Sequence, residues 1–192
     1  MLNDFYLQVK DGLNSYINLN TPAITPSVVA GVGNIANFET EHLTNSTTNL
    51  WITIIRIEEE TSLKNFPNQK QVILDDADAR YKADKRYPKI YLNYYLLFSA
   101  TLQYDFAVAA IHRIIRYFQT NNSYRFNSDG YEVDLRLELF SPTFEQLNQI
   151  WATLGGKQYP HVIYKARVAE LEYDKEHMQS VITVIKGKIS EM

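Results

Sequence analysis

Two stretches limit what this chain can fold into more than any other feature. Leu50 to Glu58 (LWITIIRIE) and Ile90 to Phe98 (IYLNYYLLF) are nearly continuous in apolar, β-branched and aromatic residues. A strand with one wet face alternates apolar and polar residues; a strand without that alternation is covered on both faces. Both stretches therefore read as buried strands, and their sheet needs apolar material on each side.

The other segments supply that material. Leu2, Phe5, Tyr6, Val9, Leu13, Tyr16 and Ile17 recur at helical spacing and predict an amphipathic first helix of about 18 residues. Pro22 and Pro26 end it and open a loop running through Gly31 and Gly33 to about residue 45. A second helix carries Phe106, Ala110, Ile111, Ile114, Ile115 and Phe118, with Asp105 as its expected cap and Asn121-Asn122 as its stop. Val133, Leu135, Leu137 and Leu139 alternate with Asp134, Arg136 and Glu138, which is a strand with one wet face. Thr143 and Gln146 match a capping box, so a third helix starts there, buries Phe144, Leu147, Ile150, Trp151 and Leu154, and stops at Gly155-Gly156. Val162 to Val168 and Val181 to Ile185 are expected as further strands, whereas Thr61 to Pro88 shows no sustained period and is expected as a long polar loop. The pattern implies an α+β fold: one domain over residues 1–192, with helices flanking a mixed or mainly antiparallel sheet.

Composition narrows the function. With 19 Lys+Arg against 22 Asp+Glu the net charge is −3, unlike a chain built to coat nucleic acid or lie on an anionic membrane. Cysteine is absent, which excludes disulfides, a thiol nucleophile and thiolate metal ligation, and points to a reducing, cytoplasmic compartment. No basic n-region precedes an apolar block, and no run of about 18 apolar residues occurs, so a soluble protein without a membrane span is expected.

No catalytic constellation emerges. Gly31-Val32-Gly33-Asn34-Ile35-Ala36 fits the dinucleotide-binding spacing, but that pattern needs a preceding strand and a following helix, and neither is evident here. The residues His42, His112, His161 and His177 lie too far apart for a metal motif. Asp75-Asp76-Ala77-Asp78 begins like a calcium loop but lacks the glycine at the sixth position and the glutamate at the twelfth. Trp51 and Trp151 lie in apolar periodic segments and read as core. No enzyme activity, cofactor or metal is therefore expected.

The strand, Ser-Pro turn and capped helix from Leu137 to Leu154, followed by Tyr159 to Glu172, resemble the N-terminal domain of the cap, or tail-terminator, proteins of contractile injection systems. Leu50 to Glu58, Lys64-Asn65-Phe66-Pro67, and Pro88 with Leu92, Tyr95, Leu96 and Leu97 fit the same family in order and spacing. Trp51, Tyr95, Phe144, Leu147 and Trp151 form the expected core signature. Many family members carry a further C-terminal extension, whereas this sequence ends at Met192, and its segment from Asp75 to Arg86 is unusually charged. The resemblance implies a structural protein: a homohexameric ring at the baseplate-distal end of a phage-tail-like particle. The ring would contact the inner tube protein and the sheath protein and stop the polymerisation of both. It implies assembly in the cytoplasm, then residence in the finished particle. A free sheet edge could accept a sheath strand.

The charged loop adds candidate contacts. Asp75, Asp76 and Asp78 at its acidic part, and Arg80, Lys82, Lys85 and Arg86 at its basic part, are expected to order on assembly against a neighbouring subunit, the tube or the sheath. Two rival readings remain: a terminator or completion protein of an ordinary phage tail, and a small-molecule-binding α+β domain using the glycine loop.

Overall fold

The computed structural model describes residues 2–19, 27–39, 47–61, 70–75, 80–85, 90–128, 131–171 and 177–180. In chain order the elements are α1 (Leu2–Leu19), β1 (Ala30–Val32), a 3-10 turn (Ile35–Asn37), β2 (Leu50–Glu59), β3 (Lys70–Asp75), β4 (Arg80–Lys85) and β5 (Ile90–Ala100). They continue with α2 (Tyr104–Thr120), β6 (Ser123–Ser128), β7 (Tyr131–Phe140), α3 (Phe144–Thr153), β8 (His161–Leu171) and β9 (His177–Ser180). Six strands form one sheet in the order β1-β2-β5-β8-β7-β6, and β3-β4-β9 form a second. Among the described strands only β1 and β2 pair in parallel; the other pairs are antiparallel. This is a mixed-sheet α+β fold.

The first face of the large sheet carries the main core. Phe5, Val9, Leu13 and Ile17 of α1 and Ala107, Ala110, Ile114 and Phe118 of α2 pack onto Leu50, Ile52, Leu96, Phe98, Leu137 and Tyr164. Helix α1 touches both edges of the sheet. Phe5 meets Tyr124 and Phe126 of β6 at centroid distances of 5.6 and 6.4 Å, and Asn14 hydrogen-bonds Ala30 of β1. The first and sixth strands of a flat sheet would lie roughly 24 Å apart, while Phe5 and Asn14 are separated by about 14 Å of helix. The sheet therefore curls around α1.

Several expectations change. The segment read as the loop 61–88 contains β3 and β4, a hairpin completed by β9. Strand β3 pairs with its neighbour β4, and β4 pairs on its other side with β9, almost a hundred residues away, a pairing that local composition does not signal. Residues 62–69, 76–79 and 86–89 lie outside the described residues. The glycine loop likewise holds β1 and the 3-10 turn. Strand β6, with Tyr124 and Phe126 buried, follows the Asn121-Asn122 stop directly and precedes the Asp129-Gly130 pair, a hairpin signal in sequence; it was not among the expected strands. Gln103, not Asp105, occupies the α2 N-cap and makes no side-chain cap bond; Asp105 lies in the first turn, where its charge meets the helix dipole. The expected strand Val181 to Ile185 falls outside the described residues.

All three crossings between the two sheets leave from one end of the large sheet. That end is fixed by register, with Glu59 opposite Leu92 and Ile90 opposite Leu171. Strands β3, β4 and β9 continue the chain beyond β2, before β5 and beyond β8. The small sheet is thus tethered to one pole, while α3 lies at the other.

Candidate functional site

The second face of the large sheet is divided in two. At the α3 end, Trp51, Leu97, Ile163, Trp151 and Ile35 form a compact apolar cluster. The Thr143 hydroxyl accepts from the Gln146 amide at 3.3 Å, and the Gln146 side chain accepts from the Thr143 amide at 3.0 Å, so the capping box starts α3 as its sequence predicts. Gly155 and Gly156 end it at φ 96° and 77°, values that L side chains rarely adopt. Tyr159 then packs tilted and His161 edgewise on Trp151, with centroids 6.2 and 5.1 Å away. Burial pushes the His161 imidazole below its ordinary pKa, opposed by the contact of its Nδ1 with the Tyr159 carbonyl at 2.8 Å. Both buried indole N–H groups, of Trp51 and Trp151, lack a hydrogen-bond partner among the described residues.

Toward the other pole the same face becomes a charged lattice. Strand β2 shifts register between Ile54 and Arg56. This bulge re-aims Arg56, Glu58 and Glu60 onto the second face, where unbroken alternation would have sent them to the first. The Tyr95 hydroxyl donates to Glu58 Oε1 at 2.6 Å, and Asn93 donates to Glu60 Oε2 at 2.9 Å. Arg56 bridges Glu58 at 2.8 Å, Lys165 lies 3.6 Å from Glu60 and 3.9 Å from Glu58, and Arg167 pairs with Glu138 at 3.2 Å. Arg56 and Lys165 also stand 5.8 and 5.7 Å from the Tyr95 ring centroid, within cation–π range. Burial, then the bond to Glu58, pushes the Tyr95 hydroxyl up to about 12. Three carboxylates and three cations balance inside this lattice, and no group in it is poised as nucleophile or proton donor. It is a rigid polar plate.

The glycine segment is fully engaged by the chain itself. Asn49 accepts from the Val29 amide at 2.8 Å and donates to the Ser27 carbonyl at 2.9 Å. The Ala30 amide donates to Asn14 at 2.7 Å, and Asn14 donates back to the Ala30 carbonyl at 3.4 Å. Ile35 donates to the Thr53 hydroxyl at 3.2 Å, which donates to the Gly33 carbonyl at 2.7 Å; Ala36 donates to Asn34 at 3.0 Å. Amides that could have cradled a phosphate are thus already engaged: that of Gly33 donates to the Ile52 carbonyl at 3.2 Å, and those of Ile35 and Ala36 to side chains. Gly31 is glycine because a Cβ there would lie 2.7 Å from Thr48. Asn14 also completes both groups of Ala30 that point away from β2, so this edge is sealed against an added strand at that position.

The residues singled out from sequence do not converge. Trp51 and Trp151 are buried in the second-face cluster, Leu147 is half-buried against it, and Tyr95 anchors the lattice. Phe144 was expected in the core but is 87% exposed, as the first residue of α3 beside its Thr143 cap. Leu139, expected on the buried face of its strand, is also exposed. Asp75 and Arg80 are direct register partners across the β3–β4 hairpin; Lys82 lies opposite Ile73 and Lys85 opposite Lys70. Asp76, Asp78 and Arg86 lie outside the described residues. Sequence reasoning missed the lattice residues Arg56, Glu58, Glu60 and Lys165. Alternating charge on the β7 and β8 segments was a visible hint, but the bulge that completes the lattice has no sequence signature. Among the described residues, no group of three or more His, Asp or Glu could hold a metal ion, and no helix is long and apolar enough to cross a membrane.

Comparison with known proteins gives the following. The family model described as the Pvc16 N-terminal domain matches residues 8–183. A solved PVC sheath/tube terminator, from an extracellular contractile injection system in the extended state, is 13% identical at a TM-score of 0.53, covering 100% of this chain and 64% of that one. The tube-terminating cap of the anti-feeding prophage is 13% identical at a TM-score of 0.54, covering 98% of this chain and 62% of that one. The chain thus spans a little under two thirds of each solved chain. No curated protein matches.

Proposed function

The chain belongs to the Pvc16 N-terminal domain family, and from that membership we propose that it is the terminating cap of a contractile injection particle. In this reading copies form a ring, hexameric by resemblance, at the baseplate-distal end. The ring ends growth of the inner tube and the sheath and couples one to the other. Assembly takes place in the cytoplasm, and the ring remains in the finished particle. The observation that carries the reading is the full-length fold match to a sheath/tube terminator and to a tube-terminating cap. The molecule suits the work. Its chemistry is neutralised in the lattice, its glycine segment offers no nucleotide cradle, and it projects a small sheet from one pole and an apolar helix from the other. The role is structural, without catalysis or cofactor. Asp75, Asp76, Asp78, Arg80, Lys82, Lys85 and Arg86 are the proposed contacts to a neighbouring subunit, the tube or the sheath.

Electron microscopy of particles assembled without the chain tests this. Overlong, unevenly terminated tubes are expected, and a normal length distribution would contradict the role.

A further inference from the structure

Ser99 of β5 is fully buried on the second face, and its hydroxyl has no hydrogen-bond partner among the described residues. The same holds for the indole N–H groups of Trp51 and Trp151, residues only 2% and 4% exposed. These groups belong to one place. In the strand register Ser99 stands directly between Trp51 of β2 and His161 of β8, and cross-strand partners on one face hold their Cβ atoms about 5 Å apart. Trp151 reaches the row from α3, its ring 5.1 Å from that of His161. The remaining wall is aromatic: Trp51 meets Phe38 at 6.0 Å, Phe38 meets Tyr159 at 6.0 Å, and Tyr159 meets Trp151 at 6.2 Å. The smallest side chain of the row thus lies among a chain of aromatic contacts that begins at Trp51 and ends at His161.

We infer that one buried water molecule is bound over Ser99, accepting from the indole N–H groups of Trp51 and Trp151 and donating to Ser99 Oγ and His161 Nε2. The inventory of donors and acceptors selects that ligand. An indole N–H only donates, and a water oxygen accepts two such bonds. His161 Nδ1 lies 2.8 Å from the Tyr159 carbonyl, which only accepts; Nδ1 therefore carries the proton, and Nε2 of the neutral ring is an acceptor. With Ser99 Oγ that gives an acceptor for each proton of the water. A metal ion has no ligand in an indole N–H, and an anion would meet the Nε2 lone pair. Buried polar groups with no protein partner are rare, and a site offering two to four such partners is where proteins hold ordered water. The bridge ties α3 to β2, β5 and β8, through the one residue that this helix buries fully, Trp151.

The chain has two tryptophans, so a nitrogen–proton correlation spectrum carries two indole N–H signals, both from this site. Each is expected to show a cross-peak at the water frequency, opposite in sign between NOE and rotating-frame spectra, as for a water that tumbles with the protein. If either indole of the folded chain shows none, that group donates elsewhere, to a neighbouring ring face for instance, and the bridge is overturned. The Ser99 hydroxyl exchanges its proton with solvent and can relay such a peak, so Ser99→Ala is the control. Three partners remain in that variant, and both cross-peaks should persist; their loss with the fold intact assigns the signal to the hydroxyl and also overturns the site. Should Ser99→Ala not fold, a crystal structure of the unsubstituted chain decides. A density peak within about 3.2 Å of both indole nitrogens is expected, and side chains alone filling that space would contradict the inference.

Discussion

The two faces of the six-stranded sheet obey different rules. The first is apolar from edge to edge: β2, β5, β8 and β7 each send small or large hydrophobic side chains under α1 and α2. The second is apolar only beneath α3 and the 3-10 turn, then polar where Arg56, Glu58, Glu60 and Lys165 meet Tyr95. One face is covered by two helices over its whole core; the other carries a short helix at one pole and ion pairs at the other. Burial on the first face is cooperative and unconditional, while the second depends on a helix held chiefly by one tryptophan.

If that contrast is right, truncation on the first face should cost most. Phe98, with no exposed surface, packs against Phe118 and Tyr164 at centroid distances of 5.2 and 5.8 Å. Phe98→Ala should cost about 3–5 kcal/mol, read by urea unfolding. On the second face Trp151→Ala should cost near the lower end, about 3 kcal/mol, and loosen α3 selectively; hydrogen exchange would show its amides opening before those of α2. Equal exchange in both helices would erase the distinction between faces.

Alkaline pH probes both faces at once. Burial raises the Tyr164 hydroxyl on the first face and Tyr95 on the second to about 12, from 10.0. Each folded pKa lies above its unfolded value, so the stabilisation is complete below about pH 10 and is lost as pH rises toward 12. Tyr95→Phe should flatten part of that loss, which thermal melts between those pH values would measure.

Within the lattice, Lys165 is 17% exposed between Glu58 and Glu60. Lys165→Met leaves two carboxylates facing each other and should cost about 1–2 kcal/mol, recoverable in part at low pH. The smallest effect concerns His161, whose pKa is depressed by burial. Its contribution is present above the unfolded value of 6.5 and is lost as pH falls through the folded one. His161→Gln should remove that acid-side slope and leave melting above neutrality little changed.

Legibility in sequence followed the same division. The first face was readable because its cause is periodicity: Phe5, Val9, Leu13 and Ile17, or Val133, Leu135 and Leu137, repeat at the spacing of their element. The capping box and the double-glycine stop fixed α3 locally and were equally plain. Pairing over long distance was not. Lys70 to Asp75 holds only the three-residue apolar run Val72-Ile73-Leu74, Arg80 to Lys85 is mostly charged, and β4 becomes central in its sheet only through β9. The bulge after Ile54 reverses which residues of β2 face the lattice, and nothing in LWITIIRIE announces it. Phe144 shared a helical face with Trp151 and so read as core, but periodicity gives direction and not depth: Phe144 opens α3 in solvent, while Trp151, two turns on, is buried.

The central claim, that this chain caps one end of a particle, is tested most directly by imaging assembled particles in which the chain carries an electron-dense label. The account predicts a single ring-shaped layer of label at the baseplate-distal end, directly on the last layer of tube. Label spread along the tube, found at the baseplate, or absent from intact particles would contradict it.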